Sequence, residues 1–450
     1  MIEATQVNKD TDPYLSSFAQ LQKELEGKQP PWLQQIRQAA ISRFSDLGFP
    51  TSAQEEWKYT EVAPIRRTAF KPAAYENNGL TIESLTGLTF GNLQCPRLVF
   101  LNGHYSAELS SLKGLPETVQ VKSLAKVLEQ HPDGVEPYLA RYARYQDHPF
   151  VALNTALFQD GALVHVPKGE VIQEPIHLLY LSTGAEEAMA IHPRTLILAD
   201  GSSQVSVLES YVGLQEGVYF TNSVTEIVAA ENAVVDHYKL HQESKGAFHV
   251  GTLQVHQARD STVRTFNGTL GGKLTRNEVN VVLDGEGAKC DLDGLYLISG
   301  SQHVDNHTRL EHAKPHCSSR EMYKGILGEK ASGVFHGRIV VLPGAQKTDS
   351  KQTNNNLLLS DEAQISTKPQ LEIYANDVKC THGATIGQLD PDALFYLRSR
   401  GIDETAARSL LIYAFASQVV NRIKVDLVRT ELDNYLFSWL PEGHLIREAV

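Results

Sequence analysis

Hydrophobic spacing along the chain changes character twice, and the two changes divide it into three stretches. From Pro13 to about Gly48 the reading is helical: Trp32, Ile36, Ala39, Ala40, Arg43 and Phe44 recur at threes and fours, Pro31 suits a first turn, and Gly48 ends the run before Pro50. Between about Thr51 and Pro149 the pattern is mixed, with a strand expected at Arg97 to Leu101 and helices near Ser123 to Gln130 and Pro137 to Tyr145. From about Phe150 to Leu389 helical periodicity fades and short β-branched runs take over, punctuated by Gly, Asp and Asn. Beyond Leu389 the helical spacing returns. Asp390 is a natural N-cap with Pro391 at the first position, and the run stops at Gly401. Asp403 caps a second helix with Ala406, Leu410, Ala414 and Ser417 on one face, and a third near Val425 to Leu436 carries Val425, Val428, Leu432 and Leu436 as a stripe. The expected division is a helical and mixed region over 1–149, a β core over 150–389 and a helical region over 390–450, the last a compact appendage suited to docking.

Within the middle stretch a weak motif recurs: an acidic or glycine turn, a small residue, then an apolar one. It falls at Asp200 to Val205, Glu231 to Val234, Asp260 to Val263, Gly285 to Ala288, Lys330 to Val334 and Glu362 to Ile365. The steps are roughly 29, 29, 25, 46 and 31 residues, so all but one fit a single repeat length. Tight Asn-Gly or Asp-Gly hairpin turns, which an up-and-down barrel or a sandwich needs, are scarce. The fold class expected is mainly β: a right-handed parallel β-helix flanked by N-terminal and C-terminal helical segments. Such a stack leaves open strand edges at its ends, which flanking helices or a partner chain must cover.

Composition removes several classes of function. A formal charge of −12 with no Lys/Arg run is unsuited to nucleic acid. No apolar run approaches the roughly 20 residues of a spanning helix, and Met1 to Asp12 has neither the basic start of a secretion signal nor the Arg-rich character of an import leader. A cytoplasmic protein without membrane contact is expected. Cys95, Cys290, Cys317 and Cys380 lie far apart, so no local cysteine motif offers a zinc site, a redox pair or a cluster-binding loop. Walker A, Rossmann, GxSxG and HExxH signatures are absent, which favours a non-enzyme. Two other classes stay open: a β-helical carbohydrate-active enzyme, whose carboxylates this chain could supply, and a standalone metal-binding protein.

The densest group of potential ligands is His303, His307, His312, His316 and Cys317, whose imidazoles and thiolate suit zinc or iron. Side chains alternate across a strand, however, so the five need not converge, and hydrogen bonding between neighbouring coils is the competing role. A second candidate is Cys380 with His382, two residues apart and hence on one face of a strand. A buried inert cysteine and a hydrogen-bonded histidine form the alternative there.

At these last residues, and at others, the chain resembles the SufB/SufD family of iron–sulfur cluster assembly proteins, and its SufD branch in particular. Gly48-Phe49-Pro50-Thr51 followed by Glu55-Glu56-Trp57-Lys58-Tyr59-Thr60 is similar to the family's N-terminal signature. Gln352 to Leu357, Thr367 to Tyr374, Asp377 to Gly387 and Leu394 to Gly401 are similar to its C-terminal core. Ile373 stands where SufB-like chains carry a cysteine, and Gly383 where they carry a glutamate, which favours the SufD branch. The resemblance implies a non-catalytic scaffold that pairs with SufB through the β-helix and holds the ATPase SufC through the C-terminal helices, or forms a homodimer when isolated. It implies that His382, with Cys380 close by, lies at the SufB interface and meets iron or a nascent iron–sulfur cluster there, none being held stably by this chain alone. Phe395, Tyr396 and Arg398 are the expected SufC contacts, since aromatic and Arg side chains dominate interface energetics.

Overall fold

The computed structural model describes residues 2–449 apart from 78, 87, 89–92, 94, 185 and 186, with side chains over 13–448. Its centre is a parallel β-solenoid of about eight turns. The chain alternates between two sheets. Sheet A receives the strands Gly161–Val166, Arg194–Ala199, Tyr219–Ala229, Phe248–Gln257, Leu274–Leu283, His303–His312, Ser332–Val341 and Gln364–Ile373. Sheet B receives Ile176–Ser182, Gln204–Gly213, Val234–Gln242, Thr262–Thr269, Lys289–Ile298, Ser318–Leu327, Asp349–Leu358 and Lys379–Gly387. Each strand pairs in parallel with the one a full coil later, roughly 26 to 33 residues on, as a solenoid requires.

The corners explain the repeated motif. On entry to sheet B the chain reverses through Ser202, Asn232, Asp260, Gly287, His316 and Lys347, all with φ between 54° and 75°. That left-handed conformation favours Gly, Asn and Asp. The next residue turns inward, and it is small: Ser203, Ala233, Ser261, Ala288, Cys317 and Thr348 are all buried. The anomalous step of roughly 46 residues now has a cause. The first four motif copies lead into sheet B, whereas Lys330 to Val334 and Glu362 to Ile365 lead into sheet A, so the step spans about a coil and a half. The skipped corner is His316-Cys317.

In-register stacking turns single residues into columns. Ile227, Val255, Val281, Leu310, Ile339 and Leu371 lie one above another on the inner face of sheet A. Each fully buried member contributes roughly 1.5–3 kcal/mol of transfer free energy. Opposite them, sheet B presents His237, Thr265, Leu292, Glu321, Gln352 and His382 as one column. This sheet-A column is apolar throughout, whereas the sheet-B column mixes hydrogen-bonding side chains with the apolar Leu292.

The two ends of the solenoid differ. At the N-terminal end the strand Arg97–Leu101 continues sheet B, folds back as a hairpin with His104–Ser111, and Gln120–Ser123 runs antiparallel beside Gly161–Val166. Helices α1 (Ile2–Glu24), α2 (Pro31–Leu47), α3 (Ala63–Arg67), α4 (Ile82–Leu85), α5 (Leu124–Gln130) and α6 (Pro149–Leu157) surround this end. Pro31 opens α2 and Gly48, at φ 64°, closes it, as the sequence suggests. The helix expected at Pro137 to Tyr145 is instead a series of turns. The backbone N–H groups of Ala140, Tyr142 and Ala143 all donate to the buried carboxylate of Glu226, which also pairs with the buried Arg194 guanidinium at 2.6 Å. Gathering three amides around one anion outweighs helix propensity.

Beyond the last strand come α7 (Pro391–Ser399), α8 (Glu404–Val420), α9 (Asp426–Trp439) and α10 (Gly443–Ala449). Asp390 and Asp403 cap α7 and α8 through their carboxylates, and Gly401 adopts φ 89° between them. The buried face of α8 carries Ala406, Ser409, Ile412, Tyr413, Ala416, Val419 and Val420; of the expected line Ala406 is buried, Leu410 and Ser417 are half-buried and Ala414 is exposed. The reason is that these helices are no free-standing appendage. Helices α8, α9 and α10 cover the outer face of sheet B, sharing one core with Leu208, Leu240, Phe266, Leu295, Leu297 and Ile326. Among the described residues no helix is long and apolar enough to cross a membrane.

Candidate functional site

The C-terminal end of the solenoid is where the sequence candidates meet. Gln364–Ile373 and Lys379–Gly387 are the terminal strands of sheets A and B, each paired on one side only. Cys380, His382, Ala384 and Ile386 continue the inward columns of Ser350, Gln352, Asn354 and Asn356. In the preceding coil those positions are buried, but here no further coil covers them, so His382 is exposed and Cys380 half-buried against the core. The pair thus shares a face and an open rim, as its spacing in the sequence implies. Partial burial pushes the Cys380 thiol above its usual range, helped by the nearby Asp349 charge. It is a thiol, not a ready thiolate.

Behind His382 lies a polar column. Gln352 Nε2 donates to Glu321 Oε2 at 2.7 Å, and Thr308 Oγ1 donates to the other carboxylate oxygen at 2.6 Å. Burial without a cationic partner pushes Glu321 up to about 7. Beside it, Asn354 Nδ2 donates to the Tyr296 hydroxyl at 3.1 Å, and Asn356 Nδ2 donates to Asn354 Oδ1 at 2.7 Å and to the Thr385 carbonyl at 3.2 Å. The run from Gln352 to Asn356 therefore alternates, with Gln352, Asn354 and Asn356 inside and bonding one coil to the next. Glycine at 294 and 325 makes room for this. A Cβ at Gly294 would sit 2.3 Å from the Tyr323 ring, and one at Gly325 would sit 2.2 Å from the Tyr296 ring.

The other candidates lie apart. Phe395 is 73% and Tyr396 57% exposed on α7, immediately after the terminal strand, and Arg398 Nη1 pairs with Glu404 at 3.2 Å. The group from His303 to Cys317 does not converge. His312 points inward and bonds to Ser319, His316 occupies an exposed corner, and the Cys317 thiol donates to the Gly285 carbonyl. His303 and His307 face outward, where His303 contacts Thr60 and Ser332 and His307 meets Glu56 and Asp305.

Sequence spacing missed that last neighbourhood, although the coil length could have found it: His336 stacks directly on His307 one coil later. Glu56, from the short turn Glu55–Trp57, reaches across to both rings. Trp57 lies under the buried Arg276 guanidinium, 3.6 Å from its ring centre, and the Thr60 hydroxyl donates to Asp305. The segment from Glu55 to Thr60 thus anchors the N-terminal region on the outer face of sheet A.

Comparison with known proteins agrees with this architecture. Residues 180–415 match the family model for the SufBD core domain of the SUF system of FeS cluster assembly, and residues 8–178 match that of the SufBD protein N-terminal region. The iron–sulfur cluster assembly protein SufD of Escherichia coli is 34% identical over 425 residues, covering 93% of this chain and 95% of that one. A SufBD family protein of Synechocystis is 33% identical over 404 residues, covering 88% of each chain. SufD of Bacillus subtilis is 27% identical over 441 residues, covering 96% and 98%. With both regions matched in order and nearly the whole length covered, the chain belongs to the SufB/SufD family of iron–sulfur cluster assembly proteins.

Proposed function

We propose that this chain is the SufD-type subunit of a cytoplasmic iron–sulfur cluster assembly complex, a scaffold with no catalysis of its own. Its partner is a second solenoid of the same family, SufB, seated on the open end. One observation carries this reading: the two sheets stop side by side at unpaired strands, and His382 sits between those edges with Cys380 at its side. Uncovered edges are templates for strand addition, so a related chain with a matching end can complete both sheets at once. In the isolated protein a second copy takes the same place.

At that junction His382 offers an imidazole nitrogen to iron or to a nascent cluster, which is cargo, while the partner supplies the thiolate. Cys380, kept as a thiol by burial, becomes a ligand only by losing a proton on metal binding. The exposed Phe395 and Tyr396 on α7, with Arg398 beside them, form the surface for the ATPase SufC, and movement of α7 during its cycle is transmitted directly to the adjoining terminal strand. The test is co-purification with SufB and SufC followed by anaerobic cluster reconstitution. His382→Ala is expected to leave the complex intact and abolish assembly; undiminished assembly removes the residue from the mechanism. Phe395→Ala with Tyr396→Ala is expected to release SufC and spare SufB pairing, and full retention of SufC refutes the assignment of α7.

A further inference from the structure

From the geometry on the outer face of sheet A we infer a metal site that binds one divalent first-row transition ion of the zinc or ferrous class, held by Glu56, His307 and His336. The three donor atoms lie within 4.8 Å of one another. Glu56 Oε2 is 3.4 Å from His307 Nδ1 and 3.3 Å from His336 Nδ1. Ligands at about 2.1 Å from a tetrahedral ion are separated by about 3.4 Å, so both of these edges already have the length that coordination requires. Two imidazoles and a carboxylate form a donor set that suits zinc and ferrous iron.

The opposite nitrogens strengthen the case. His307 Nε2 lies 2.9 Å from Asp305 Oδ1, and His336 Nε2 lies 2.5 Å from Gln370 Oε1. Each ring thus points Nδ1 at Glu56 while its Nε2 lies against Asp305 or Gln370, and the two ring centres are 4.8 Å apart. With an ion bound, each ring turns a lone pair from Nδ1 to the metal and keeps one proton on Nε2 for Asp305 or Gln370, the outer-shell arrangement typical of metal-bound histidine. The fourth position opens onto a groove of about 710 Å³ that Glu56, His307 and His336 help to line, leaving room for water or a small anion.

The site lies one coil in from the open end, on the outside of sheet A, whereas His382 faces inward from sheet B. It is independent of the pairing proposed above. Because Glu56 belongs to the N-terminal segment and both histidines to the solenoid, the ion fastens the two together.

Titration of the full chain with Zn(II) alone, by calorimetry and chelator competition, tests the inference, with Co(II) absorption reporting the geometry. One ion per chain and a tetrahedral Co(II) spectrum are expected. His307→Ala and His336→Ala should each weaken binding at least 100-fold, Gln370→Leu about 10-fold, and His316→Ala not at all. Absence of stoichiometric Zn(II) binding, or equal affinity in the wild type and His307→Ala, overturns the assignment. Should the histidine variants misfold, Gln370→Leu decides, because it keeps all three donors: weakened binding supports the site and unchanged affinity refutes it.

Discussion

Replacing Glu321 by Gln should make the protein more stable at neutral pH and should abolish one component of its pH dependence. Glu321 is buried, its two oxygens accept from Thr308 and Gln352, and no cation offsets its charge, so its pKa rises from 4.5 to about 7. Below about pH 4.5 the folded and unfolded chains are both protonated here, and the group contributes nothing to the pH dependence. Between about 4.5 and 7 the unfolded chain releases this proton while the folded chain keeps it, so stability falls as pH rises; above about 7 the loss is complete. At 1.36 kcal/mol per pKa unit the loss is about 3 kcal/mol. Glu321→Gln removes it, and the new amide can donate to Gln352 Oε1, a buried atom with no hydrogen-bond partner. Urea unfolding of both proteins at about pH 5 and about pH 8 gives the difference curve, and infrared spectroscopy at about pH 6 reports a protonated carboxyl directly. The stability gap should widen by about 2.5 kcal/mol across that range, since part of the loss is already present at pH 5. A constant gap, or a wild-type spectrum at pH 6 with no carboxyl band lost in the variant, would refute the reasoning.

Three further outcomes follow from the packing. Glu226→Gln strands the buried Arg194 charge and should cost about 3–5 kcal/mol, seen as a lower urea midpoint with faster amide exchange at Ala140, Tyr142 and Ala143; unchanged exchange there would remove Glu226 as the organiser of that segment. Gly325→Ala drives a methyl group into the Tyr296 ring and Asn356 and should cost about 1–3 kcal/mol by overpacking, so a melting temperature equal to the wild type's would show that the column has slack. Deleting residues 390–450 bares Leu208, Leu240, Leu295, Leu297 and Ile326 on sheet B and should produce aggregates by light scattering, whereas a monodisperse fragment would mean the helices are dispensable for the solenoid.

The solenoid was legible because its corners are written in local chemistry: a residue that tolerates positive φ, then one small enough to point inward. Asn232-Ala233 and Gly287-Ala288 show both halves of that rule. His316-Cys317 obeys it as well, but its residue types read as ligands, so one corner was lost and a step of irregular length appeared. The pairing of Cys380 with His382 needed only strand alternation and was equally readable. Contacts that cross long stretches of sequence were not. Nothing local to Pro137–Tyr145 announces that three of its amides serve a carboxylate at position 226, and nothing in α8 alone says which of its faces meets sheet B.

Stacking in register also decides where chemistry can occur. Inside the solenoid every polar side chain has a neighbour from the coil above and another from the coil below, and Glu321 and Gln352 use theirs on each other. His382 occupies the same column but has a neighbour on one side only. A histidine one coil earlier would be buried within the stack, as His312 is, with one nitrogen on Ser319. Placing the imidazole in the final coil withholds it from internal bonding without any special loop or strained backbone, and the same termination leaves the strand edges on which the proposed partner would sit. Adding one more coil after Gly387 would therefore remove the proposed site and the proposed interface together, because both are consequences of where the repeat stops.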